Sequence, residues 1–125
     1  MKSAFLEELG VMKKRLLESM EDYMTGDRLN NHFDVSYGPK DVSECSRILD
    51  DYIQCLQNLD EYSTRNDIMK CVKTVVLQLN ELSTKRPDLI NPTKREELFD
   101  YIEFAAKGAG LKEIDEDITE KWREW

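Results

Sequence analysis

Ser3-Ala-Phe-Leu-Glu-Glu-Leu-Gly-Val-Met-Lys-Lys-Arg-Leu-Leu-Glu-Ser-Met-Glu-Asp-Tyr-Met24 carries the clearest periodic pattern in the chain. Phe5, Leu9, Met12, Leu16, Met20 and Tyr23 recur in it at spacings of four, three, four, four and three. Leu6 and Leu17 widen the stripe. A 3.6-residue period puts these side chains on one face of an amphipathic helix, over residues 3–24. Ser3 is a natural N-cap, and Glu7 and Glu8 lie in or just after the first turn, where the helix dipole favours acids. Gly26, in Thr25-Gly26-Asp27, offers a left-handed stop.

The same period recurs downstream. Residues 41–59 place Val42, Cys45, Leu49, Tyr52, Leu56 and Leu59 on one face, with Ile48 and Ile53 beside them and Pro39 at or before the first turn. Residues 64–83 align Ile68, Cys71 or Val72, Val75, Leu79 and Leu82; Val75-Val76-Leu77 makes the middle apolar almost all round, so this helix is expected to be the most buried. Pro87 and Pro92 break the pattern. Thr93 with Glu96 then reads as a capping box opening a fourth helix over 94–107, which carries Leu98, Phe99, Ile102, Phe104, Ala105 and Ala106 and ends at Gly108 or Gly110. Ile118, Trp122 and Trp125 at i, i+4 and i+7 predict a short last helix. Residues 27–40, with Leu29, Phe33, Val35 and Tyr37 among polar residues, read as an ordered loop. The expected fold is all-α: one domain over 1–125, a helical bundle of four main helices plus a short C-terminal one. Its core should bury Leu16, Ile48, Leu49, Ile53, Val72, Val75, Val76, Leu79, Leu98 and Ile102.

Composition narrows the class. The chain has 125 residues, with 18 Lys+Arg against 26 Asp+Glu and a net charge of −8. This is one domain's length, long enough to bury a core without staples. The 35% of charged residues and the lack of an apolar run near the ~20 residues of a membrane span speak against a membrane protein. Acids within the N-terminal apolar run speak against a signal peptide, and a cytoplasmic protein is expected. A negative surface repels phosphate backbones, so no direct nucleic-acid partner is expected. Cys45, Cys55 and Cys71, an odd number without a CxxC pair, read as three small buried hydrophobes; an exported chain could join two of them in a disulfide, but nothing else in the sequence suggests export.

No catalytic pattern emerges. His32, the only histidine, lies in the polar loop and reads as solvated, and no HExxH, Cys/His, Glu-x-x-His or phosphate-loop spacing occurs. Gly108-Ala109-Gly110 reads as a helix stop. We therefore expect no enzyme, no metal and no cofactor. The carboxylates are mostly solvated helix faces, and their densest groups are candidates for partner binding: Asp50-Asp51, Asp60-Glu61 and Asp115-Glu116-Asp117. Charge of one sign steers association with the opposite sign. Trp122 and Trp125 spend both tryptophans in the last four residues, so the tail is expected to be tied down, with both indoles packed on the bundle or held as partner anchors.

Leu79-Asn80-Glu81-Leu82, Leu89-Ile90, Arg95-Glu96-Glu97-Leu98, Ala105-Ala106, Gly110-Leu111, Asp117-Ile118-Thr119 and Trp122-Arg123-Glu124-Trp125 carry a resemblance over residues 75–125. This half resembles small bacterial helical proteins that end in an Arg-x-Trp tail, some of them similar to immunity proteins encoded beside polymorphic or contact-dependent toxins. The resemblance implies a bacterial protein that acts by binding, with a protein partner such as a basic toxin domain, and it supplies no catalytic residue. The alternative reading is a helical adaptor or regulatory module, homodimeric or not, unrelated to toxins.

Overall fold

The 3.6-residue stripes fold as helices in the computed structural model, which describes residues 1–30, 37–60, 62–112, 114 and 116–125. Four helices follow in order: α1 (Ser3–Asn30), α2 (Pro39–Gln57), α3 (Arg65–Lys85) and α4 (Pro92–Gly108), with no strand among the described residues. The chain is one small all-helical domain.

Local chemistry sets the boundaries. The Lys2 carbonyl accepts from the N–H groups of Phe5 and Leu6, so Ser3 lies inside α1 rather than capping it. Glycine is permissive rather than a stop, at a cost of about 0.5–1 kcal/mol against alanine, and α1 accordingly runs past Gly26 to Asn30. Gly38 caps α2 in an extended conformation, with Pro39 in the first turn. The α3 start is a reciprocal capping box: Thr64 N–H donates to the Asp67 carboxylate at 2.8 Å, and Asp67 N–H to Thr64 Oγ1 at 3.4 Å. In α4 the cap is Asn91, whose Oδ1 accepts from Lys94 N–H at 2.9 Å, and not Thr93. Asn-Pro explains the shift, because Asn is a strong cap and Pro fits the first helical position. The helix closes in a Schellman motif: Leu111 N–H reaches the Ala106 carbonyl, Gly110 N–H reaches that of Lys107, and Gly110 takes φ 113°.

The helices pack antiparallel. The α2–α3 pair is pinned at one end by Arg86 on Asp41 (3.0 Å) and at the other by a Cys55–Cys71 disulfide. The α1–α4 pair brings Phe5 against Phe104, ring centroids 4.9 Å apart. Tyr52 crosses the core from α2, its hydroxyl donating to the Ile102 carbonyl of α4 at 2.7 Å. Of the expected core, all are buried except Ile53, which is half-buried. Leu77 is 42% exposed, so the middle of α3, though apolar almost all round, is buried on one side only. The cysteines correct the sequence reading: Cys45 is free and buried, whereas Cys55 and Cys71 are cross-linked. Each faces the other helix at matching heights of an antiparallel pair, a register that a single segment's period does not reveal.

After α4 the tail forms turns and not the expected short helix. Leu111, Ile118 and Thr119 are buried in it. It straps along α3, from Arg65, whose Nη1 donates to the Lys112 carbonyl at 3.2 Å, to Asn80. There Asn80 Nδ2 donates to the Trp122 carbonyl at 2.7 Å and Oδ1 accepts from Glu124 N–H at 2.9 Å. Glu124 N–H, which a helix would direct to the Glu120 carbonyl, is taken by the Asn80 side chain instead.

Candidate functional site

A carboxylate can serve a basic partner when it faces solvent and nothing on the chain cancels its charge. Asp50 and Asp51 are exposed on α2, yet both are paired: Lys13 of α1 reaches Asp50, and Arg47, one turn earlier, reaches Asp51 as well as Glu44. Asp50 also borders a shallow cavity of about 350 Å³ between α1 and α2, where Tyr101 lies. Asp60 shapes the α2–α3 turn, its Oδ1 accepting from Tyr62 N–H at 2.9 Å and from the Ser63 hydroxyl at 3.3 Å. Glu61 and Asp115 lie outside the described residues, as does His32. Glu116 is exposed.

Asp117 is committed to the tail. It accepts from Thr119 N–H at 2.8 Å, from the Thr119 hydroxyl, and from Arg123 Nη1 at 2.6 Å. Burial acts to raise its carboxyl, but the Thr119 hydrogen bonds and the Arg123 charge outweigh it and hold Asp117 below the usual carboxylate range. Trp122 and Trp125 are half-buried against the core. Lys121 sits over the Trp122 ring at 5.7 Å and Arg123 over that of Trp125 at 5.5 Å. The sequence-picked residues therefore do not form one face: Asp50 meets α1, Asp60 sits in a turn, and Asp117 is folded into the tail with the two indoles.

A different acidic row emerges on α4. Glu96, Asp100 and Glu103 stand at i, i+4 and i+7, on one face, with Glu97 alongside. Lys94 takes Glu97 at 3.0 Å and Lys107 takes Glu103 at 2.9 Å. Glu96 and Asp100 are exposed and have no ion pair among the described residues. Partial burial, and then the charges of Glu103, Glu96 and Glu97, raise the Asp100 carboxyl above its ordinary value. Negative potential is concentrated here. The spacing was legible in the sequence; the pairing that singles out Asp100 was not, because it depends on which lysines reach which acids.

Between the start of α2 and the end of α3 runs a groove of about 740 Å³, on whose rim Arg86 pairs with Asp41 and Arg47 with Glu44. Among the described residues, no group of three His, Cys, Asp or Glu side chains converges as a metal site. No helix among them is long and apolar enough to cross a membrane. No family model matches the chain, and no curated protein or solved structure matches it either.

Proposed function

We propose that the chain is a non-catalytic binding protein that presents the α4 acids around Asp100 to a basic protein surface. In the setting implied by the resemblance of residues 75–125, it is a bacterial immunity-type protein of the cytoplasm that neutralises a cognate toxin domain. One observation carries the reading: Asp100 is exposed on α4 among Glu103, Glu96 and Glu97, with no ion pair among the described residues, and partial burial followed by those three charges raises its carboxyl. A cation from a partner relieves that repulsion, and the net charge of −8 steers such a partner in. Toxin domains that act on nucleic acid are basic, and an acidic inhibitor can occupy or screen their cleft.

Co-expression with the product of the neighbouring gene in a bacterial host tests the role. Restored growth and a purified complex support immunity; a partner without toxicity favours an adaptor. With that complex, Asp100→Asn is expected to slow association several-fold and to steepen no salt dependence, while leaving the denaturation midpoint unchanged or higher. The Asp50→Lys, Asp51→Lys double variant is expected to matter less, because Lys13 and Arg47 already occupy those carboxylates. An association rate indifferent to salt and to Asp100 refutes the charge-steered mode.

A further inference from the structure

We propose that Cys55 and Cys71 form a reversible, redox-responsive tie across the α2–α3 hairpin, closed by exchange with a small disulfide and opened by a dithiol. The two residues sit near the ends that the turn joins, Cys55 in the last turns of α2 and Cys71 in the second turn of α3, with Cα atoms 5.9 Å apart. That separation lies within the range a disulfide spans without moving backbone.

Cys45 does not compete for either partner. Ten residues along α2 separate it from Cys55, about 15 Å of helix axis. It is fully buried, and burial pushes its thiol up to about 12, so it is no nucleophile at neutral pH. One pairing is therefore available to the folded chain.

Access is lopsided. Cys71 is 2% exposed, whereas Cys55 is half-buried, so an incoming thiolate meets the Cys55 sulfur first. Reduction forms a mixed disulfide at Cys55 and releases Cys71 as the thiol; the second thiol of the dithiol then frees Cys55 and leaves as a cyclic disulfide. Oxidation by glutathione disulfide runs the other way. Two cysteine thiols pass two electrons to the small disulfide, their protons end on two released glutathione thiols, and the Cys55–Cys71 bond remains.

Around the bond, Leu49, Tyr52 and Leu56 on α2 and Ile68, Val72 and Val75 on α3 are buried in apolar contacts that do not run through the sulfurs. The segment that gains freedom on opening is the turn after α2, where Tyr62 is 82% exposed and Asp60 supplies the local hydrogen bonds. In the cytoplasmic setting proposed above, on which the conditional character of the bond rests, cross-links are transient and redox-linked rather than permanent.

The test uses the purified full chain and needs no partner, so its outcome is separable from that of the binding role. After incubation with glutathione disulfide, alkylation in denaturant without reductant is expected to label one thiol, Cys45, by intact mass. Dithiothreitol is then expected to lower the melting temperature by about 10 °C. It should also speed amide exchange at least tenfold at residues 58–64, with residues 98–106 still protected. Cys55→Ser and Cys71→Ala should each match the reduced protein and ignore dithiothreitol. Three labelled thiols after oxidation, or a melting temperature indifferent to dithiothreitol, overturns the tie. Loss of all protection on reduction shows a permanent staple and overturns the switch.

Discussion

Asn80 sits in an apolar phase of α3, 5% exposed, and its amide holds two backbone groups of the tail, Trp122 O and Glu124 N, at 2.7 and 2.9 Å. A hydrocarbon there fits the helix but leaves both backbone partners unmatched. Asn80→Leu is expected to cost about 1–3 kcal/mol, the penalty for stranded polar groups, read as a lowered urea midpoint. Trp122 and Trp125 fluorescence should shift to the red as the tail lifts, and a variant with native emission and midpoint sinks the clamp. A polar residue four positions after Val76 was visible in the chain as a departure from the stripe. What it bonded was not, because its partners lie more than 40 residues away.

At the scale of elements, the caps repeat a rule that short-range chemistry enforces. Thr64 with Asp67 and Asn91 before Pro92 each satisfy N–H groups that the first turn leaves open. The closing element of α4 offers the sharpest check. Gly110 holds φ 113°, which an L side chain adopts only under strain, and nothing lies within 4 Å of where its Cβ would sit. Strain alone therefore sets the outcome. Gly110→Ala should destabilise the domain by about 1 kcal/mol by guanidinium titration, whereas Gly10→Ala, in the open interior of α1, should be neutral or stabilising. Equal effects at the two glycines contradict the Schellman assignment. The helices and their stripes were legible because each period needs only neighbours three and four residues away. The end of α1 lies at Asn30 and not at Gly26, since a glycine's freedom permits a stop without imposing one.

Across the whole molecule the ionisable groups set the response to pH. Burial acts to raise Asp41, but the Gly38 N–H and Arg86 hold it below its ordinary value, as Thr119 and Arg123 hold Asp117. A carboxyl lowered on folding contributes stability above its unfolded value, near 3.8, and that contribution is lost as pH falls through the lower folded value. Asp100, raised on folding, works in the opposite sense and is relieved by acid. Melting temperature should accordingly fall steeply below about pH 4, and Asp117→Asn should lower it at pH 7 while flattening the acid limb. An unchanged limb shows that the Asp117 network carries no linkage. Read alone, the chain specifies the all-helical class and nine of the ten core positions expected from it, because a helical period is written within a few consecutive residues. That Cys55 meets Cys71, that Lys13 reaches Asp50 from 37 residues away, and that Asp100 has no ion pair among the described residues belong to the tertiary structure. Those outcomes depend on the register between helices, which is set by how whole faces pack and which no spacing along one segment encodes.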